Sequence, residues 1–281
     1  GEQYFLEEAR FGYDQKTHKI EVGKPIGQFY GYKTLGLYQV EDFDYNAKDQ
    51  TYTLKEGIPY MSGTFNRSDI RPGMWKFDDR NGDKVIDDSD MTVIGNANPD
   101  FYGGLNNQFK YKGWDFSFFF TFSYGGEVLN ATKLTNTKTA TTNYSVLNIA
   151  NSSNRWMTVN SEGQLITDPE EMAAINAGRT VACIYDMEMG DKYIHSWAVE
   201  DASYLRLSNL SLGYTFDRKK LRKFNVQSLR LYFTGSNLFV WTPYSGFDPE
   251  VSTKGNSLTP GVDYGAYPRN RSYVFGLNIT F

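Results

Sequence analysis

Alternation of apolar and polar residues with a period of two dominates the second half of the chain. In 114–124 (WDFSFFFTFSY) every even-numbered position is Trp, Phe or Tyr, whereas the odd-numbered positions carry mostly Asp, Ser and Thr. The segments 204–216, 228–240 and 272–281 repeat this pattern, and 100–111 follows it more weakly. Because successive side chains of a β-strand point to opposite faces, this period predicts strands, each with one aromatic face.

The two faces of these predicted strands differ in an unusual way. One face carries large aromatic residues that concentrate at the strand ends, and the other carries Ser, Thr, Asn and Gly with few charges. A soluble sandwich with one packed and one wet face is an alternative explanation of the alternation. Segments of about 10 residues are long enough to cross a bilayer at a tilt. The pattern therefore favours an all-β fold, a transmembrane antiparallel β-barrel with hydrocarbon outside and water or a plug inside.

The links between the predicted strands alternate between short and long. Residues 112–113 and 217–227 form short links, whereas 40–99, 125–203 and 241–271 are long. A sandwich has no reason to sort its loops in this way, but outer-membrane barrels have short periplasmic turns and long extracellular loops. We therefore expect the three long segments to be extracellular loops.

Two further strands are expected before residue 40. The segment 27–39 (GQFYGYKTLGLYQ) predicts an outward strand, and a poorly patterned strand is expected within 2–20. The chain would then supply about seven strands, too few to close a useful pore, and open strand edges are not tolerated in lipid. Either several copies build one barrel or the chain is part of a longer one. The N-terminal sequence has no signal-peptide pattern, which favours the second explanation.

Composition narrows the functional classes. Aromatic residues make up 16% of the chain and its net charge is −4, so no global charge favours nucleic acid as a partner. The clearest basic run is DRKKLRK at 217–223. The single cysteine, Cys183, has no internal disulfide partner, and a catalytic pair with His195 has no supporting motif. With no histidine cluster for a metal and no catalytic motif, we expect no enzymatic activity.

An acidic stretch at 78–90 (DDRNGDKVIDDSD) has the spacing of a calcium-binding loop of the EF-hand type. Its sixth position is Lys84 rather than Gly, and its twelfth is an aspartate rather than a glutamate. A turn-rich surface loop that binds no ion is the alternative, because Asp and Asn favour turns by themselves. The predicted ligands of a structural Ca²⁺ ion are Asp79, Asn81, Asp83, the carbonyl of Val85, Asp87 and Asp90.

Several blocks of the sequence together resemble a known family. They include VGKPIGQFYGYKTLGLYQ (22–39), DRNGD (79–83), IGNANPDFYGG (94–104) and SYLRLSNLSLGY (203–214). These blocks and the alternating C-terminal strand resemble the C-terminal part of the SusC/RagA family of TonB-dependent outer-membrane transporters. The resemblance covers most of the chain in order and is weakest at 131–200.

The resemblance implies the following expectations. Whole family members form a 22-stranded barrel with an N-terminal plug in the outer membrane of Gram-negative bacteria. They import oligosaccharides or peptides, energised through the TonB complex, and a SusD-like lipoprotein covers them as a lid. This chain would supply the C-terminal strands and outer loops, in contact with outer-membrane lipid and the rest of the transporter. It would lack the plug and the TonB box, which lie in the N-terminal part.

Two groups of residues are candidates for contacts outside the chain. An aromatic set in 241–267 would contact the substrate or the lid, or would form a belt at the membrane interface. In the alternative function it would serve a non-transporting surface protein that binds glycans or acts as an adhesin. Phe281, the aromatic last residue of an alternating strand, resembles a barrel-assembly signal and is also simply the last lipid-facing residue. The aromatic set comprises Trp241, Tyr244, Phe247, Tyr264 and Tyr267.

Overall fold

The chain folds into two compact units, which a computed structural model describes over residues 3–8, 15–137, 146–183, 193–253 and 257–281. The first, here called the loop unit, comprises Gly1–Asn96, Leu129–Val199 and Ser252–Gly265. The second, here called the sheet unit, comprises Ala97–Val128, Glu200–Val251 and Ala266–Phe281. The loop unit therefore contains most of the long links predicted from the sequence.

Strands dominate the secondary structure. In chain order they are β1 (Gln3–Glu8), β2 (Gln15–Glu21), β3 (Gln28–Gly31), β4 (Thr34–Leu37), β5 (Phe43–Asn46), β6 (Thr51–Leu54), β7 (Trp75–Phe77), β8 (Thr92–Asn96), β9 (Phe101–Tyr111), β10 (Trp114–Tyr124), β11 (Glu127–Asn130), β12 (Val199–Asp201), β13 (Tyr204–Thr215), β14 (Ser228–Trp241), β15 (Val262–Asp263) and β16 (Ser272–Thr280).

The α-helices of the described residues are short. They are α1 (Ala131–Thr135), α2 (Pro169–Asn176) and α3 (Arg218–Leu221). The sequence favours α2 because Pro169 occupies its first turn, where proline costs no hydrogen bond, and the side chain of Asp168 caps it by accepting from Glu170 N. No helix among these residues is long and apolar enough to span a bilayer.

The sheet unit is built on a five-stranded antiparallel sheet with the order β16-β14-β13-β10-β9. Its strands have 9 to 14 residues, so they are long enough to cross a bilayer at a tilt. The register brings like residues together: Phe116 of β10 pairs with Phe109 on one side and Leu212 on the other. The five long strands predicted from the alternation are therefore confirmed.

A bulge in β13 keeps one face of this sheet apolar along its whole length. Phe119 pairs with Asn209 and Phe120 with Leu207, so Ser208 is an additional residue in β13. An extra residue in one strand reverses the alternation of the side chains that follow it. Because of the bulge, Leu205 and Leu207 share a face with the leucines on its other side.

The two ends of the sheet carry links of different lengths. At one end β9 and β10 are joined by a two-residue turn, and β13 and β14 by 12 residues that contain α3. The two links adjoin, since Thr215 N donates a hydrogen bond of 2.8 Å to Gly113 O. The links from β10 to β13 and from β14 to β16 both leave the opposite end. These two long links therefore share one end of the sheet, and the extracellular side expected for all three long segments stays a prediction.

The prediction of about seven long strands is wrong for the described part of the chain, because 3–8 and 15–39 add no strand to the five-stranded sheet. β1 and β2 pair with β3 and β8 in a separate four-stranded sheet, and 27–39 forms two four-residue strands. The physical reason is visible in the burial of adjacent residues. Leu37 and Tyr38 are adjacent, and both are buried in the loop unit. In a strand with one lipid-facing side, adjacent side chains point to opposite faces, so one of the two would be exposed to lipid.

The core of the loop unit contains a histidine enclosed by aromatic rings. His195 is fully buried, and its ring lies 4.6 Å from that of Trp75 and 5.4 Å from that of Phe77, between centroids. Neither ring nitrogen has a hydrogen-bond partner among the described residues. Burial, with a smaller contribution from the Lys133 ammonium, lowers the pKa of His195 to about 3. The imidazole is therefore neutral at physiological pH.

Acidification is expected to weaken the loop unit through this histidine. In the unfolded chain a histidine has a pKa near 6.5, so only the unfolded form takes up the proton between about pH 6.5 and 3. The free energy of unfolding should therefore fall as the pH decreases, by on the order of 2 kcal/mol at pH 5. Urea unfolding followed by tryptophan fluorescence at pH 7.5 and 5 measures the effect. His195→Phe should remove that part of the pH dependence, and an unchanged dependence in this variant would contradict the explanation.

Candidate membrane-facing surface and loop sites

One face of the five-stranded sheet presents a continuous apolar surface, here called the aromatic face. It is exposed in the structure, as shown by Phe275 at 80% and Leu277 at 56% of their maximum. Water-exposed apolar patches of this kind mark contact with a membrane or a partner. Its members in β10, β13, β14 and β16 are Trp114, Phe116, Phe118, Phe120, Phe122, Tyr124, Leu205, Leu207, Leu210, Leu212, Tyr214, Leu229, Leu231, Phe233, Phe239, Trp241, Tyr273, Phe275, Leu277 and Ile279.

Amphipathic aromatic residues mark the two ends of the aromatic face. At the long-link end Leu205 pairs with Trp241, and Tyr124 pairs with Phe101. At the short-link end Trp114 pairs with both Tyr111 and Tyr214. Tyr and Trp prefer the boundary between hydrocarbon and head groups, where one part of the side chain is apolar and another is wet. The aromatic face thus has the two belts of a membrane-crossing sheet.

The opposite face of the sheet is polar and close-fitting. Arg230 of β14 donates hydrogen bonds to both carboxylate oxygens of Asp115 in β10, at 2.6 and 3.2 Å. This pair reaches across β13 over Gly213, where a Cβ atom would lie 2.5 Å from the guanidinium. Gly276 likewise leaves space for Tyr232, whose ring would lie 2.0 Å from a Cβ atom. Both glycines are therefore needed for the close approach of a larger neighbour.

A buried ionic network holds the segment after β14 against the sheet. Arg206 of β13 is buried and donates a hydrogen bond of 2.6 Å to Asp248. Its Nε also lies 2.9 Å from a carboxylate oxygen of Glu250, at an angle unsuited to a hydrogen bond, so this contact is an ion pair. Arg269 adds a second cation 3.0 Å from Glu250. Sequence reasoning missed this network, although an arginine inside an otherwise uncharged strand was a signal.

The five aromatic residues proposed for substrate or lid contact do not form one surface. Trp241, Phe247 and Tyr267 belong to the sheet unit and are 53, 80 and 89% exposed. Tyr244 is buried, in contact with Val128 and Ala202, so it presents no surface for the predicted contact with the substrate or the lid. Tyr264 is half-buried in the loop unit. Contact with a ligand or lid stays a prediction for the exposed members, and Phe281, which is also exposed, stays a predicted assembly signal.

The acidic loop at 78–90 is organised by its own carboxylates. Asp79 accepts hydrogen bonds from the backbone N–H groups of Gly82 and Lys84, at 2.8 and 2.9 Å. Lys84 makes the sharp turn at the sixth position with φ 69°, a conformation that favours glycine. Asp90 is fully buried and accepts from Arg80 N and Asp87 N. The loop thus curls around its acidic side chains.

The oxygen donors of this loop suit calcium chemically, but they already have protein partners. Calcium binds carboxylate and carbonyl oxygens, which the predicted set supplies. In the structure Asp83 and Asn81 accept backbone N–H groups, and hydrogen bonds from the hydroxyl and then the amide of Ser89 lower the pKa of Asp87. Across the described residues no group of three or more Asp, Glu, His or Cys side chains is placed to hold a metal. The calcium site therefore stays a prediction.

If calcium pins this loop, removal of one ligand and removal of the ion should have the same effect. Asp83→Ala is expected to increase proteolytic cleavage within 78–90 as much as a chelator does, because either change removes the cross-link between the two halves of the loop. Limited proteolysis with and without chelator measures it. Asp88→Ala, outside the predicted ligand set, should retain the response to chelator. Equal digestion of the unaltered protein with and without chelator would refute the calcium site.

Comparison with known proteins relates the chain to bacterial TonB-dependent receptors. It is 34% identical over 287 aligned residues to the TonB-dependent receptor P3 of Formosa agariphila, covering 100% of this chain and 25% of that protein. It is 30% identical over 207 residues to the TonB-dependent receptor SusC of Bacteroides thetaiotaomicron, covering 73% of this chain and 17% of SusC. The chain thus spans about a quarter of the length of the first of these relatives. No protein-family model matches it.

Solved structures show the same fold. The RagAB peptide transporter superposes with a TM-score of 0.58 at 19% identity, covering 99% of this chain and 24% of that one. A second structure, the RagAB peptide importer in its closed-closed state, gives a TM-score of 0.59. The predicted fold, a segment of a transmembrane antiparallel β-barrel, is therefore confirmed. The chain belongs to the SusC/RagA family of TonB-dependent receptors and corresponds to their C-terminal part.

Proposed function

We propose that the chain is part of an importer in the outer membrane of a Gram-negative bacterium. The observation that carries the proposal is the five-stranded sheet, with its exposed aromatic face and polar opposite face, in a relative of TonB-dependent receptors. Lipid would cover the aromatic face, and the face with the Asp115–Arg230 pair would line the interior. The chain itself would catalyse no reaction, because its role is to form part of the wall of the transport barrel.

The transported molecules would be oligosaccharides or peptides, and the partners would be a SusD-like surface lipoprotein and the TonB complex. The RagAB peptide transporter, a structural neighbour, supports peptides, and the TonB-dependent receptors among the relatives support the TonB complex. Oligosaccharides and the SusD-like lipoprotein come from the family resemblance of the sequence. The long links would then be extracellular, where the exposed Phe247 and Tyr267 are available to the lid or the substrate. Energy would reach the barrel through the plug of the complete protein.

Uptake measurements on the full-length protein test this function. Cells that carry it should accumulate labelled oligosaccharides or peptides, and the accumulation should stop when the gene or TonB is deleted. A lipoprotein encoded in the same organism should copurify with the full-length protein in detergent. Binding of glycans at the cell surface that persists without TonB, with no accumulation inside, would replace the importer by the alternative, a glycan-binding or adhesive surface protein.

A further inference from the structure

The short-link end of the sheet brings two exposed turns together. One is the Lys112–Gly113 turn between β9 and β10, and the other contains α3 and follows β13. They are fixed side by side, because Thr215 N donates to Gly113 O and Trp114 pairs with Tyr214. The burial of Leu221 holds α3 against the sheet unit. Charges in the two turns therefore form one surface.

This surface is strongly basic, and its cations have no acidic partners among the residues that the structure describes. The second turn contains five cations and one carboxylate, that of Asp217, which accepts a hydrogen bond of 2.9 Å from Lys219 N. All of the cations are exposed, and none forms an ion pair within the described part of the chain. We call the set the basic edge; it comprises Lys112, Arg218, Lys219, Lys220, Arg222 and Lys223.

The basic edge adjoins one end of the aromatic face. Tyr111 and Trp114 are 69 and 50% exposed, and the Lys112 ammonium lies 5.1 Å from the centroid of the Tyr111 ring. Phe224, which directly follows the basic run, is 73% exposed. A ligand that fits both features needs an anionic group beside an apolar body. Exposed apolar rings of this kind are not required by a purely polyanionic partner such as nucleic acid.

We propose that the basic edge binds the head groups of anionic phospholipids at the short-link side of the membrane. The phosphates would lie against the lysine and arginine side chains, while the acyl chains continue along Trp114 and the aromatic face. Clusters of four or more cations next to a membrane-crossing segment bind anionic lipid in this way. Arginine contributes more than charge, because its planar guanidinium can hold a phosphate with two hydrogen bonds. This proposal depends on one part of the proposed function, namely that the sheet crosses the membrane. It does not depend on the identity of the imported substrate.

Lipid binding to the full-length protein tests the proposal. The variant carries glutamine at Arg218, Lys219, Lys220, Arg222 and Lys223, and native mass spectrometry measures bound phosphatidylglycerol and phosphatidylethanolamine. The unaltered protein should prefer phosphatidylglycerol, and the variant should bind this lipid at least about tenfold more weakly. The preference should also weaken as the salt concentration rises. Resistance of the folded barrel to SDS without boiling confirms that the variant is folded.

A matched control removes the same number of exposed cations elsewhere. Glutamine at Lys24, Lys33, Lys48, Arg80 and Arg271 should leave phosphatidylglycerol binding unchanged. An equal loss in the two variants, or no loss in either, would overturn the proposal. Capture of an acidic protein by the basic edge without any lipid preference would also overturn it. In each of these cases normal TonB-dependent uptake would leave the proposed importer standing.

Discussion

Replacement of Phe118 by arginine is expected to lower the free energy of unfolding in a bilayer by about 2–4 kcal/mol. Phe118 lies near the middle of β10, beside Leu210 and Asn107, with the rings of Phe116 and Phe120 at 5.7 and 5.5 Å. An arginine at this depth would have to hold its charge in hydrocarbon or bend towards the head groups. Reversible unfolding of the full-length protein in lipid vesicles, followed against denaturant, measures the loss.

Ser117→Arg is the matched control for this substitution. Ser117 is the preceding residue of the same strand and pairs with Ser211 and Gln108 on the polar face. The same charge at this position should cost less than about 1 kcal/mol, because the polar face can solvate it. Equal losses of unfolding free energy in the two variants would show that the aromatic face does not contact lipid.

Arg206→Ala is expected to cost about 3–5 kcal/mol, because it leaves the buried carboxylate of Asp248 without its cation. The side chain of Arg206 is only 4% exposed and that of Asp248 10%, so water cannot take over the lost interaction. The segment 242–251 should detach first, because this network anchors it. Protease cleavage within the segment and the unfolding midpoint of the full-length protein measure the two effects.

Arg230→Ala is the control for Arg206→Ala, because it removes an arginine from an ion pair that is not buried. The Asp115–Arg230 pair has a similar distance of 2.6 Å, but both of its side chains are about a third exposed. Its loss should therefore cost about 1 kcal/mol. Addition of Asp248→Asn to the Arg206→Ala variant should recover part of the stability by removing the stranded charge. A cost for Arg206→Ala no larger than that for Arg230→Ala would exclude the network as the anchor.

The sheet could be predicted from the sequence because its two faces meet different solvents. Lipid on one side and water or protein on the other impose a period of two, and 114–124 and 272–281 show it plainly. The bulge at Ser208 was not predicted, since Leu205 and Leu207 fall out of phase with the residues that follow. In a single sequence such a change of phase cannot be distinguished from irregular alternation, because only the pairing with the neighbouring strand reveals the extra residue.

The loop unit was less predictable for a different reason. Its aromatic residues are buried in a hydrophobic core. The segment 27–39 therefore carries the same residue types as a lipid-facing strand but lacks the alternation of such a strand. The network around Arg206 joins residues 42 positions apart, and no local pattern shows such a contact. Burial also decides which aromatic residues are available for contact with a substrate or lid. Tyr244 is buried and Phe247 is exposed, although they are close in sequence.

The loop unit joins parts of the chain that are far apart in the sequence, and this has a consequence for biogenesis. The ring of His18 is hydrogen-bonded at 2.9 Å to the carbonyl of Pro260, 242 positions away, and β11 pairs in parallel with β15. Contacts of such long range form late, because the chain between them must first lose its freedom. The loop unit therefore cannot complete its fold before residue 263 is available to it, and its earlier segments must be kept from aggregating until then.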